Sequence, residues 1–60
     1  MKKYDSYTIQ EEGRDWNNKV ADIYYNEKDG MYYTNMYENI PFDSPDDILD
    51  AIKNDGYEIL

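Results

Sequence analysis

The chain has sixty residues and contains neither cysteine nor histidine, and this combination limits its possible folds more than any other feature. A domain of this size buries only roughly 60% of the surface that its unfolded chain exposes, so its stability is marginal. Natural domains this small usually add disulfides, metals or oligomerisation. Without cysteine the chain can form neither disulfides nor thiolate metal sites. Without histidine it also lacks the commonest nitrogen ligand for metals. We therefore expect one small domain over residues 1–60, without a cofactor or metal, that folds unaided or against another protein surface.

The composition is acidic and rich in tyrosine. The chain contains eight tyrosines, one tryptophan and one phenylalanine. Disordered chains usually contain fewer aromatic residues, so we expect this chain to fold. Six basic residues against fourteen acidic ones give a net charge of −8, which disfavours direct binding to nucleic acid or anionic lipid. There is no run of about 18 apolar residues and no apolar segment behind Lys2 and Lys3, so we expect neither a membrane span nor a secretory signal. The expected location is the cytoplasm of the producing or host cell.

Three segments have the composition and alternation of β-strands, namely residues 4–10, 19–26 and 31–38. The last two flank a short polar link that ends in Gly30, where a positive φ would complete a hairpin turn. Both faces of this hairpin carry tyrosines, which is unusual for a sheet with one solvated side. Trp16 interrupts the polar loop between the first two strands, and it should either fold back onto the core or serve as an exposed anchor for a partner.

Residues 45–54 carry the clearest local signal, which is that of an amphipathic helix. Ser44 is a good N-cap and Pro45 occupies the first helical position, where its missing N–H costs nothing. The apolar positions with helical spacing are Ile48, Leu49 and Ile52. Gly56 is a typical stop after the last turn, and residues 57–60 then form a short last strand or a tail packed on the core.

These elements predict an α+β fold class. We expect a small antiparallel β-sheet of three or four strands and one C-terminal amphipathic helix, in the order β-β-β-α with or without a terminal β. The helix should cover one face of the sheet.

Catalytic chemistry is not indicated, and we expect a protein that is not an enzyme. A serine or threonine nucleophile would have no histidine base, and the three glycines stand alone and form no phosphate-binding loop. Paired carboxylates need a cleft that sixty residues cannot readily build. The segment ending in Gly30 resembles part of a calcium loop, but Tyr25 and Met36 stand where that loop needs carboxylates.

Negative charge is concentrated in the last third of the chain, because residues 38–60 contain seven acids and one base. On a helix, Asp46, Asp47 and Asp50 fall within an arc of about 100° opposite the apolar stripe. Three further acids extend this region: Asp43, Asp55 and Glu58. In one interpretation the acids cover a solvated helix face, where the helix dipole favours them. In the other they imitate the phosphates of a nucleic acid and bind a protein groove built for one.

The tyrosines also admit two interpretations. Several should pack in the core, and those on the second sheet face are candidate contact residues, since tyrosine is enriched at interface centres. The candidates are Tyr24, Tyr33 and Tyr37. A second copy of the chain could instead bury this face as a homodimer.

The leading hypothesis is a small acidic inhibitor that binds a basic nucleic-acid-handling protein and blocks its site by mimicking DNA or RNA phosphate charge. Mobile genetic elements, including phages, encode short proteins of this general kind that act against restriction, CRISPR or repair enzymes. The likeness is one of size, charge and composition. The alternative is a generic protein–protein adaptor or homodimeric regulator whose acidity only confers solubility. A weaker third hypothesis, nucleic-acid stacking on the sheet tyrosines, is opposed by the net charge.

Overall fold

The computed structural model of the protein describes residues 1–13 and 18–60, so Trp16 lies outside the described residues. The described part of the chain forms five strands and one helix. Their bounds are β1 Lys2–Glu11, β2 Asn18–Asn26, β3 Met31–Thr34, β4 Tyr37–Phe42, α1 Pro45–Asn54 and β5 Tyr57–Ile59. Within these ranges no helix combines the length and the apolar character needed to cross a membrane.

The strands form one antiparallel sheet in the spatial order β4-β3-β2-β1-β5. β1 and β2 make the longest pairing, in which Tyr7 faces Ala21. The chain returns after α1 and pairs β5 with β1, where Ile59 faces Ile9. The predicted α+β class, with an antiparallel sheet and one helix, is confirmed. The prediction of a C-terminal helix after three strands is wrong, because α1 lies between β4 and β5 in a sheet of five strands.

The segment 31–38, predicted as one strand, is two strands joined by a turn at Asn35 and Met36. The Asn35 side chain explains the break. Its Oδ1 accepts a hydrogen bond from the Asp22 backbone N–H (2.8 Å), and its Nδ2 donates to the Val20 carbonyl (3.0 Å). These two hydrogen bonds pair backbone groups of β2 at the point where β3 ends. The backbone after Thr34 can therefore turn without leaving those groups unpaired.

The edge strand β4 was not predicted as a separate element. It contains Pro41, which has no N–H to donate and is tolerated in sheets mainly at edges. It also contains Asn39 in the left-handed region at φ 61°. Both features interrupt regular pairing, and they are typical of a sheet edge that does not recruit further strands.

The core lies between α1 and one side of the sheet. Its fully buried residues are Ile9, Ala21, Ile23, Ile48 and Ile52. Half-buried side chains, among them Tyr7, Leu49 and Phe42, surround this centre. A core built on four isoleucines and an alanine is small, as expected for a chain of this length.

Side chains alternate along each strand, so the sheet has two different sides. We name the side against α1 the helix side; Ala21 and Ile23 lie there. The residues that alternate with them point away from α1 and form what we name the open face, which no described element covers. The open face includes Thr8, Val20, Asp22, Tyr24, Tyr33, Glu58 and Leu60.

Candidate functional site

The candidate site is the outer surface of α1, and local sequence signals position it. The Ser44 side chain accepts a hydrogen bond from the Asp47 N–H (3.3 Å), which caps the first turn. The buried Ile48 and Ile52 hold the opposite side of the helix against the sheet. Asp46, Asp47 and Asp50 are exposed, and we name these three residues the acidic face.

No described cation neutralises the acidic face. None of its three carboxylates forms an ion pair with another described residue, and the ion pair between Lys3 and Asp22 (3.2 Å) lies on the open face. Lys53 is in the last turn of the same helix but makes no salt bridge to these carboxylates. Carboxylates at helical spacing without counter-ions repel one another and create a negative potential directed toward solvent.

The negative potential continues onto the sheet through Asp5, which sequence reasoning did not select. The Tyr7 hydroxyl donates to Asp5 Oδ2 (2.9 Å) on the helix side of β1. This hydrogen bond, partial burial and the charges of Asp5 and Asp46 raise the pKa of Tyr7 above its ordinary value. Both carboxylates therefore disfavour ionisation of the Tyr7 hydroxyl. No local motif in the sequence marks Asp5 as a site residue.

The predicted tyrosines are not brought together with the acidic face. Tyr24 and Tyr33 face each other across β2 and β3 on the open face, on the opposite side of the sheet from α1. The Tyr37 hydroxyl points inward and donates to the Ala51 carbonyl (3.2 Å) and to the carboxylate of Asp55. Tyr37 thus links β4 to the end of the helix.

Three other tyrosines lie on the helix side of the sheet. Tyr4 meets Tyr32 edge-on at 5.3 Å between ring centroids, and Tyr25 lies 5.0 Å from Tyr32. Tyr4 is 57% exposed. The aromatic surface that accompanies the acidic face is therefore this cluster, which sequence reasoning missed because alternation alone does not say which side a helix covers.

The remaining predicted acids divide between the two sides of the sheet. Asp43, directly before the cap, is exposed. Asp55 ends the helix and accepts the hydrogen bond from Tyr37. Glu58 accepts a hydrogen bond from the Gln10 side chain (3.1 Å) on the open face. The six predicted acids therefore do not form one continuous surface.

Other chemistry is limited within the described residues. No group of three or more potential metal ligands converges there. An open groove of about 300 Å³ lies beside the β2–β3 turn, lined by Met1, Lys2, Tyr25, Asn26, Glu27 and Lys28. No protein family, curated protein or solved structure matches this chain. Its function is consequently argued from its own residues.

Proposed function

We propose that this chain is an acidic inhibitor that occupies the nucleic-acid-binding groove of a basic protein, such as a restriction, CRISPR or repair enzyme. The observation that carries the proposal is the acidic face itself. Asp46, Asp47 and Asp50 present three exposed carboxylates on a capped helix, without a described cation to neutralise them.

The rigidity of α1 supports this role. The Ser44 cap and the buried Ile48 and Ile52 fix the helix before any partner is met. A preorganised charged surface loses little conformational entropy on binding, so more of the electrostatic attraction is retained as affinity. Long-range attraction between this surface and a basic groove also accelerates association.

The charge spacing favours a groove that contacts one nucleic-acid strand. Asp46, Asp47 and Asp50 span about 6 Å of the helix axis at about 1.5 Å per residue, which is an average of about 3 Å per charge. One strand of DNA carries a phosphate every ~3.4 Å, and the duplex carries one charge per ~1.7 Å. The tyrosine cluster of Tyr4, Tyr25 and Tyr32 lies on the same side of the sheet and offers rings where bases would stack.

A second candidate function is a protein–protein adaptor in which the acids only confer solubility. The open face favours it, because Val20 and Leu60 are 52% and 61% exposed there and no described element covers them. The two functions differ in which side of the sheet meets the partner.

A capture experiment at two salt concentrations tests the class of partner. The immobilised protein is exposed to a lysate of its source cells at low and high salt, and the bound proteins are identified. Inhibition by mimicry predicts a basic nucleic-acid-binding protein that is released at high salt and is displaced by a single-stranded oligonucleotide. A captured partner that survives salt and ignores the oligonucleotide would contradict the proposal.

Charge-matched variants test the acidic face directly. Replacing Asp46, Asp47 and Asp50 with Asn keeps their shape and removes three charges, so we expect affinity for the captured partner to fall at least about tenfold, with a flatter salt dependence. The free energy of unfolding should change little. The variant loses the favourable interaction of Asp46 and Asp47 with the helix dipole, but it also loses the repulsion between Asp46 and Asp50.

The control variant removes three charges elsewhere. Glu12, Glu27 and Glu38 are exposed and lie outside the helix, and replacing all three with Gln gives the same net charge. Under mimicry this control keeps most of the affinity. Equal losses in both triple variants would show that only overall charge matters, and unchanged affinity in the Asn variant would favour the adaptor.

A further inference from the structure

Two exposed apolar side chains, Val20 of β2 and Leu60 directly after β5, flank Thr8 of β1 on the open face. The Leu60 N–H donates to the Thr8 carbonyl (2.9 Å), and Thr8 faces Val20 across β1 and β2. Val20 and Leu60 are both more than half exposed, while Tyr24 and Tyr33 lie half-buried further along the same face. Exposed apolar side chains on a sheet face that no described element covers make that face a candidate interaction surface.

The open face is also the side with the smallest local charge. Lys3 pairs with Asp22 (3.2 Å), and Asp22 additionally accepts a hydrogen bond from the Ser6 hydroxyl (2.9 Å). Glu58 accepts a hydrogen bond from Gln10. β1, β2 and β5 thus contribute one basic and two acidic residues to this face, and Asp29 adds a third carboxylate that accepts a hydrogen bond from the Tyr33 hydroxyl. The acidic face lies on the other side of the molecule.

We propose that the open face binds the open face of a second copy of this chain. Two molecules that each carry a net charge of −8 repel least when their least charged sides meet and their acidic faces point outward. In this arrangement the two sheets stack about 10 Å apart. Val20 and Leu60 lose their exposure, and Tyr24 and Tyr33 supply contact area with a polar tip.

The available area makes this dimer weak. Five strands about 4.8 Å apart and roughly six residues long, at about 3.3 Å per residue, give a face of about 500 Å². Two such faces bury about 1,000 Å² in total, which is the lower limit for a specific protein interface. The dimer therefore forms as concentration rises and is absent at high dilution.

Sedimentation equilibrium over a concentration series, at low and high salt, measures this association. The expected mass rises from the 7.2 kDa monomer toward twice that value, and it does so at lower concentration in high salt, which screens the repulsion. Higher salt should strengthen the dimer but weaken binding of the acidic face to a basic partner. The salt dependence therefore tests the dimer and the inhibitor function independently. A constant 7.2 kDa at every concentration up to millimolar and in both salts overturns the dimer.

Two variants with the same net charge locate the interface. Val20→Lys places one cation in the centre of the open face of each copy, and it should weaken the dimer at least about tenfold although it lowers overall repulsion. Glu27→Gln makes the same charge change in the β2–β3 turn and should leave the dimer as strong or slightly stronger. Circular dichroism confirms that both variants are folded. Equal dimerisation of the two variants overturns the assignment to the open face.

Discussion

At the scale of single residues, Tyr37 is the clearest example of a tyrosine used for structure. Its hydroxyl joins β4 to the end of α1 through the Ala51 carbonyl and the Asp55 carboxylate. Burial, the hydrogen bond to Asp55 and the negative charge of Asp55 raise the pKa of Tyr37 to about 12. The folded state therefore favours the neutral phenol, because only that form carries the single O–H proton that the Ala51 carbonyl and the Asp55 carboxylate share.

Replacing Tyr37 with Phe should lower the free energy of unfolding by about 1.5–3 kcal/mol, the typical contribution of a hydrogen bond to a charged acceptor. The stabilisation by Tyr37 is fully present below its ordinary pKa of 10.0 and is lost as pH rises toward about 12. Urea unfolding across alkaline pH measures it. The pKa values of Tyr7 and Tyr33 are raised too, so the difference between wild type and variant isolates Tyr37. A difference that does not shrink above pH 10 would contradict this role.

At the scale of secondary-structure elements, α1 combines local and tertiary stabilisation. The Ser44 cap and Pro45 favour helix formation from the sequence itself. Ile48 and Ile52 are fully buried, whereas Leu49 is only half-buried at the margin of the core. The residues of the apolar stripe predicted from the sequence should therefore contribute unequally to the stability of the fold.

Substitutions along this stripe should follow burial. Ile52→Val should cost about 0.5–1.5 kcal/mol and Ile52→Ala about 2–5 kcal/mol, the latter leaving much of the population unfolded in so small a core. Leu49→Ala should cost less than Ile52→Ala, because part of its side chain is already hydrated. Thermal and urea unfolding followed by circular dichroism rank the variants. A larger loss for Leu49→Ala would mean that the helix packs on a different face.

At the scale of the whole molecule, charge opposes the compact state. The net charge of −8 is held within a long axis of 38 Å, and Lys3 and Asp22 form an ion pair among the described residues. Repulsion between the excess acids destabilises the folded chain more than the expanded one. The exposed ion pair between Lys3 and Asp22 offsets little of this.

Salt should therefore stabilise the protein. Raising the ionic strength from about 0.01 M to 0.15 M shortens the screening length from about 30 Å to about 8 Å, well below the long axis of the molecule. We expect the melting temperature to rise over this range at a protein concentration low enough to keep the chain monomeric. A melting temperature that falls with salt would show that attractive pairs outweigh the repulsion.

The amino-acid sequence by itself determined the features that depend on near neighbours. The helix at 45–54 has the predicted bounds, and its acids are exposed opposite the buried stripe. Gly30 and Gly56 have the positive φ expected for a turn and a helix end. A helix cap, a turn glycine and a helical apolar stripe each depend on residues only a few positions apart in the chain. The sequence pattern is therefore sufficient to predict them.

Only the tertiary structure decided the features that depend on distant partners. The break at Asn35 needs Asp22 and Val20, which lie 13 and 15 residues away, and no positive φ marks that turn. Tyrosines alternate on both sides of the hairpin, so the sequence pattern does not tell which side faces the core. The position of α1 in the structure shows which side is covered. The packing of α1 on one side of the sheet places Tyr24 and Tyr33 on the opposite side from the acidic face, because apolar burial selects the covered side from the whole chain at once.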